Sequence, residues 1–98
     1  MPRYLNVRWH HDDPDDPVRY LSEIEQGDEV RKVERYADGR VGWAGPDGSG
    51  GGSELAQGPI PNEDEIAADP VFTVDPTSAE EFEREWCAAR AATRSAGS

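Results

Sequence analysis

Two adjacent histidines, His10 and His11, stand next to four aspartates and are the residue types in this chain closest to a metal site. Imidazole and carboxylate groups are common ligands of zinc and other divalent ions. Neighbouring residues of a strand point to opposite faces, however, and the aspartates of HDDPDDP, residues 11–17, lie in a segment that prolines interrupt. No second histidine or cysteine cluster completes a coordination sphere. We therefore assign no metal ligand and no cofactor.

The other candidate chemistries lack their partner groups. Cys87 would need a base and a lowered thiol pKa to act as a nucleophile, but its neighbours include Glu83 and Glu85, which oppose thiolate formation. The glycine-rich stretch at 45–53 does not end in the Gly-Lys-Ser/Thr of a phosphate-binding loop. We assign no catalytic residue and expect a protein that is not an enzyme.

Basic residues and tyrosines share the N-terminal half, a mixture that single-stranded nucleic-acid binders place on sheets. The same segments carry several glutamates, so cross-strand ion pairs explain the basic residues better, and we predict no nucleic-acid binding. We expect one face of the sheet to be exposed. Its candidate residues are Tyr4, Arg8, Lys32 and Tyr36.

The formal charge of −11 indicates what kind of partner the chain favours. Residues 1–40 carry seven basic and ten acidic side chains, whereas residues 41–98 carry three and eleven. Such a field repels phosphate backbones and favours a protein partner with a basic surface. The carboxylates that we predict to make this contact are Asp64, Glu65, Asp69, Glu80 and Glu83.

The cellular setting follows from two further features. No apolar run approaches the ~18 residues of a membrane span, so we predict no membrane association. A single cysteine excludes an intramolecular disulfide and is typical of a reducing compartment. We therefore expect a cytoplasmic protein, and we expect it to be a monomer.

Alternating apolar residues predict the strands. Residues 4–10, 18–25, 29–37 and 40–44 read as four strands, with Leu5, Val7 and Trp9 on one face of the first. Asp38-Gly39 between the last two is a strong hairpin signal and predicts a type I′ turn. Val30 and Val33 fall on opposite faces of a regular strand, which requires either a bulge or burial on both faces.

Capping patterns predict two helices. Asn62 followed by three acidic residues begins a short acidic helix that ends before Pro70, and residues 71–74 could add a short edge strand. Ser78-x-x-Glu81 is a capping box that opens a helix to about residue 92. Its Phe82, Trp86 and Ala89 form one apolar stripe, which we expect to pack on the face bearing Leu5, Val7 and Trp9.

These elements predict the fold. It is an α+β domain, with a four-stranded antiparallel β-meander, a C-terminal α-helix packed on one face and a short acidic helix. We expect residues 1–94 to form this single domain, with a flexible glycine-rich loop at 45–58, and residues 95–98 to form a disordered tail.

An ordered set of short motifs extends from residue 4 to residue 86. It comprises VRW at 7–9, DxPV at 15–18, SEI at 22–24, EVRKVE at 29–34, DGRVG at 38–42, EIAADP at 65–70 and SAEEFExxW at 78–86. Together these motifs resemble a family of small bacterial proteins called domain of unknown function 6881. The resemblance implies a compact domain without an established activity, and it implies no catalytic residues. The glycine run at 48–52 is the unusual part of this chain.

The function that we expect is therefore binding without catalysis, by an immunity-like or regulatory module. A DNA mimic is one alternative, and it requires acidic side chains in a regular track on one face. A small-molecule-binding or accessory enzyme subunit is the other, and it requires an apolar pocket with converging polar groups.

Overall fold

The computed structural model describes residues 2–97, with side chains described as far as Thr93. Six strands and two helices follow one another along the chain. They are β1 (Arg3–Trp9), β2 (Arg19–Glu25), β3 (Asp28–Arg35), β4 (Val41–Gly45), β5 (Gly48–Gly50), α1 (Glu63–Ala67), β6 (Phe72–Asp75) and α2 (Ala79–Gly97). The fold is α+β, as predicted.

The strands form one antiparallel sheet in the order β5-β4-β3-β2-β1-β6. The predicted number of four strands is wrong, because a further strand is added at each edge. β6 returns from α1 to pair with β1, with Val7 opposite Val74. β5 lies inside the glycine-rich stretch and pairs with β4, where Gly50 faces Trp43. A β-carbon at Gly50 would lie 2.5 Å from Nε1 of Trp43, so only glycine fits there.

Two tight turns join the central strands. Gln26 and Gly27 link β2 to β3 with φ angles of 53° and 85°, the left-handed pair of a type I′ turn. The loop between β3 and β4 differs from the predicted two-residue turn, because Tyr36 donates its N–H to the carbonyl of Arg40 across three residues. Gly39 supplies the one positive φ there, 95°.

A bulge in β3 resolves the conflict between Val30 and Val33. Glu23 pairs with Arg31 and Ile24 pairs with Glu29, so Val30 has no partner on β2. The extra residue reverses the direction in which the preceding side chain points. As a result Glu29 lies on the opposite face of the sheet from Arg31.

The capping box positions α2 as predicted. The Ser78 side chain accepts a hydrogen bond from the Glu81 N–H at 3.1 Å. The stripe of Phe82, Trp86 and Ala89 is buried, and it packs on Leu21 and Val33. The helix extends to Gly97, beyond the end expected near residue 92. Of the tail expected at residues 95–98, Ser98 and the side chains of the other residues lie outside the described part of the chain.

The face on which α2 packs is the reverse of our prediction. Tyr4 lies under the helix with its ring centroid 5.4 Å from that of Phe82, and Asn6 donates to Glu81 at 3.2 Å. Leu5, Val7 and Trp9 therefore point away from α2. Of the even-numbered residues of β1, Tyr4 meets the helix through Phe82 and Asn6 through Glu81.

The opposite face is covered partly by irregular chain. Ile60 donates its N–H to the carbonyl of Gly27 at 2.8 Å, and Pro59 forms a bridge with Asp28. Ile60, Ile66, Phe72 and Val74 pack on a second cluster of Leu5, Val7 and Ile24. Among the described residues, no helix is long and apolar enough to cross a membrane.

Candidate functional site

An open groove of about 340 Å³ lies on the face of the sheet away from α2. Its floor consists of alternate side chains of the neighbouring strands β1 and β2, because residues two apart on a strand share a face. These floor residues are Leu5, Val7, Trp9, Tyr20 and Ser22. Its walls come from the segment after β5, from α1 and from β6, through Ala56, Ile60, Pro61, Ile66 and Phe72.

The closed end of the groove is polar and buried. The Glu29 side chain is only 2% exposed. It accepts hydrogen bonds from the Ser22 hydroxyl at 2.6 Å and from the Ala56 N–H at 2.9 Å, and it pairs with the Lys32 ammonium at 3.2 Å. One carboxylate therefore joins β2, β3 and the segment that walls the groove.

Lys32 lines the same end and is also held in place. Its Nζ donates to the carbonyl of Glu54 at 3.0 Å and lies 5.8 Å from the ring centroid of Tyr20. The cation thus neutralises Glu29 inside the groove, so that the charge around the mouth comes from other residues.

The open end of the groove is aromatic. Trp9 lies 6.0 Å from Tyr20 and 6.2 Å from Phe72 between ring centroids, and all three side chains are half-buried. Burial, followed by the nearby carboxylates of Glu34 and Asp16, raises the pKa of Tyr20 to about 12. The phenol therefore stays neutral to a higher pH than an exposed tyrosine does.

The rim formed by α1 is acidic. Asn62 caps this helix by accepting from the Glu65 N–H at 2.9 Å, and the first turn holds Glu63, Asp64 and Glu65 without a basic residue in the last turn. The three carboxylates are exposed, whereas Ile66 on the same helix lines the groove. One helix thus contributes an apolar side chain to the groove and carboxylates to its rim.

The five carboxylates predicted to contact a partner do not form one patch. Asp64 and Glu65 lie on α1, and Asp69 follows it, where its carboxylate accepts from the Val71 N–H at 3.1 Å. Glu80 and Glu83 lie on α2, which packs on the other face of the sheet. Glu83 is also paired with Arg31.

The four residues predicted to share an exposed sheet face are separated as well. Tyr4 packs against Phe82 under α2, and Arg8 is paired with Asp75 at 2.7 Å. Lys32 lies in the groove on the opposite face. Tyr36 follows the end of β3, with the Arg40 guanidinium 4.7 Å from its ring centroid.

The two histidines form hydrogen bonds within the fold, and the cysteine lies at the surface. His10 bonds to the Thr73 hydroxyl at 2.7 Å, and His11 bonds to the Pro17 carbonyl at 2.8 Å and packs its ring against Trp9. Cys87 is exposed on α2. Within residues 2–97 no three His, Cys, Asp or Glu side chains converge as a metal site would require.

A larger hollow of about 530 Å³ lies between the β3–β4 turn and α2. Its lining includes Tyr36, Val41 and Thr93, and it adjoins the turns of α2 whose side chains lie outside the described residues. The groove is the candidate site, since buried polar groups converge in it beside half-buried aromatic rings.

Sequence reasoning missed the groove and its buried carboxylate. The alternation of Leu5, Val7 and Trp9 did indicate a buried face, but a pattern on one strand does not say which element covers it. Glu29 appeared as one glutamate among many. The mismatch of Val30 and Val33 was the available signal, because one of the two explanations that it allowed, a bulge, turns Glu29 inward.

The resemblance seen in the ordered motifs is confirmed by comparison with known families. A family model described as Domain of unknown function (DUF6881) matches residues 3–91. No curated protein and no solved structure matches the chain.

Proposed function

The chain belongs to the DUF6881 family, and on that premise we propose that it is a non-catalytic protein-binding domain of an immunity-like or regulatory kind. It acts as a monomer in the cytoplasm, where its unpaired Cys87 stays reduced. The groove takes apolar side chains from a partner segment whose flanking residues are basic. The observation that carries the proposal is the open apolar groove with the acidic α1 at its rim.

Apolar contact supplies the affinity in this proposal. Three aromatic rings line the open groove, those of Trp9, Tyr20 and Phe72, although large apolar side chains are normally buried in the core. Aromatic residues in partly desolvated clefts are enriched among the residues that dominate binding energies. A volume of about 340 Å³ is at the lower end for small-molecule sites and suits one or two side chains of a chain segment.

Charge supplies the selectivity and the rate of association. α1 presents three exposed carboxylates, and the whole chain carries a formal charge of −11. Complementary charges steer encounter and suppress the wrong partners more than they raise affinity. Asp64, Glu65 and Asp69 are the predicted contacts that lie near the groove, whereas Glu80 and Glu83 lie across the sheet from it.

The groove gives less support to catalysis. Both oxygens of Glu29 already accept hydrogen bonds, from Ser22 and Ala56, and its charge is balanced by Lys32. A general base needs a free lone pair directed at the proton that it removes. The Glu29 carboxylate is instead a structural link between the sheet and the groove wall.

A pair of peptides tests the proposal. We expect acetyl-Lys-Thr-Leu-Thr-Leu-Thr-Lys-amide to bind, since its lysines and leucines share one face when the chain is extended. The shifts should be confined to groove residues and β6 in an NMR titration. The twin with glutamate in place of both lysines should bind at least tenfold more weakly at low salt, and the difference should shrink as salt screens the charges. Equal binding of the two peptides, or binding of neither, would refute the proposal.

Two matched charge reversals locate the contact. Glu65→Lys and Glu80→Lys change the same charge at exposed positions in the first turn of a helix, but on opposite sides of the sheet. We expect Glu65→Lys to weaken binding of the lysine peptide by about three- to tenfold and Glu80→Lys to change it less than twofold. Equal effects would mean that net charge, not the groove rim, governs binding.

Small-molecule binding is a second candidate, since polar groups converge at the closed end of the groove. It is favoured if a neutral probe such as indole binds the groove as tightly as the lysine peptide does. The DNA-mimic alternative required one track of carboxylates, and the acidic residues of α1 and α2 lie on opposite sides of the sheet.

A further inference from the structure

The outer edge of β6 is the second feature of the groove side that a partner could use. β6 pairs with β1 on one side and is the last strand of the sheet. Opposed residues in an antiparallel pair alternate between hydrogen-bonded and non-hydrogen-bonded pairs, so a single bond sets the pattern for the whole strand.

His10 fixes that pattern, because its N–H donates to the carbonyl of Val71 at 2.7 Å. In the observed register, Thr73 and Asp75 therefore direct their backbone groups towards β1, whereas Phe72 and Val74 direct theirs outward. The outward N–H of Phe72 is used by the carbonyl of Asp69, at 3.0 Å. Among the described residues, the Val74 N–H and the Phe72 and Val74 carbonyls have no hydrogen-bond partner.

The side chains of Phe72 and Val74 point to the groove side of the sheet. Phe72 lines the groove, and Val74 packs on Leu5 and Val7. A strand added beside β6 would place every second side chain on that same side, next to the groove. Its backbone and its apolar side chains would then engage one continuous surface.

We propose that the partner segment binds as a seventh strand along β6, with alternate apolar side chains directed into the groove and basic residues at its ends. This inference rests on the proposed function and specifies how the segment is held. Strand addition to an exposed edge is an established mode of peptide recognition, in which backbone bonds give affinity and alternate side chains give specificity.

The edge is short, which limits what can bind. Pro70 and Pro76 bracket β6, and three backbone groups are available. Short edges bounded by proline discourage pairing between copies of a protein. A partner must therefore gain much of its affinity from the groove, so a segment without apolar side chains should not bind.

A proline substitution tests the proposed strand. The Val74 N–H is not used by the sheet, so Val74→Pro removes the outward donor and leaves the bonds to β1 in place. Strands tolerate proline at such outward-facing positions of an edge strand. Val74→Ala loses similar apolar contact and keeps the donor. We expect Val74→Pro to weaken binding of acetyl-Lys-Thr-Leu-Thr-Leu-Thr-Lys-amide by at least tenfold and Val74→Ala by less than threefold, with both variants folded by NMR.

Hydrogen exchange gives an independent readout on the unaltered chain. The Val74 amide should exchange freely without peptide and at least tenfold more slowly with saturating peptide. The Thr73 amide, which faces β1, should be protected in both states and serves as the control.

The possible outcomes distinguish the strand proposal from the groove proposal. Peptide binding that is unaffected by Val74→Pro and leaves Val74 exchange unchanged would overturn the strand and leave the groove proposal standing. Absence of peptide binding to the unaltered chain would overturn both. Loss of binding together with protection of Val74 is the result that we predict.

Discussion

Replacing Glu29 by glutamine removes the charge at the closed end of the groove while keeping the shape of the side chain. In the folded chain this carboxylate receives the Ser22 hydroxyl, the Ala56 N–H and the Lys32 ammonium. A neutral amide leaves the Lys32 charge, only 14% exposed, without its counter-ion. It also directs an NH₂ group at one of the two hydrogen-bond donors.

The magnitude follows from this burial. Removing one partner of a buried ion pair costs about 3–5 kcal/mol, and the remaining bond from Lys32 to the Glu54 carbonyl offsets part of that. We expect a loss of about 2–4 kcal/mol in the free energy of unfolding. For a domain of this size that corresponds to a fall in Tm of about 10–25 °C.

Chemical denaturation with a matched control measures the effect. Glu34→Gln is the same substitution on the same strand, at a half-buried carboxylate with no ion pair or hydrogen bond to a described side chain, and it should cost less than ~0.5 kcal/mol. Adding Lys32→Met to Glu29→Gln should recover much of the loss, because no unpaired charge then remains. Equal destabilisation by the two glutamine variants would refute the reasoning.

Three further predictions concern the face under α2. Phe82→Ala should lower the free energy of unfolding by about 3–5 kcal/mol in urea, because the ring is fully buried between the helix and the sheet. Gly45→Ala should cost about 1–3 kcal/mol in the same assay, since the new β-carbon would lie 2.7 Å from Cη2 of Trp86. The hydrogen bond from Arg31 lowers the pKa of Glu23 below its usual 4.5, so this carboxylate stabilises the fold above that pH and the contribution is lost as the pH falls through the lowered value. Glu23→Gln should therefore make the urea stability less dependent on pH in acid, and an unchanged pH profile would contradict this.

The local signals in the sequence predicted local structure well. The capping patterns placed the starts of both helices, since the hydrogen bonds involved span only three residues. Alternation placed β1 to β4, and the mismatch of Val30 and Val33 indicated either a bulge, which is what β3 has, or burial on both faces. β5 gave no apolar signal, because Gly48, Ser49 and Gly50 present almost no side chain. Gly50 alone is required by closeness to Trp43.

These signals did not indicate which face of the sheet α2 would cover. An apolar stripe on α2 fits either face of a sheet that is apolar on both sides. The outcome depended on polar pairs between distant residues, such as Asn6 with Glu81 and Arg31 with Glu83. The groove arises from the same outcome, because Leu5, Val7 and Trp9 are left to a wall that covers them only in part.

The three indole N–H signals of an NMR spectrum test the central claim most directly, since Trp9 reports on the groove face and the other two tryptophans report on the face under α2. Trp9 lies in the groove. Trp43 donates to the Thr93 hydroxyl at 2.8 Å, and Trp86, a residue of α2, is buried against the sheet. On titration with the lysine peptide, we predict that the Trp9 signal shifts and the other two do not. Movement of Trp43 or Trp86 with Trp9 unchanged would contradict the account.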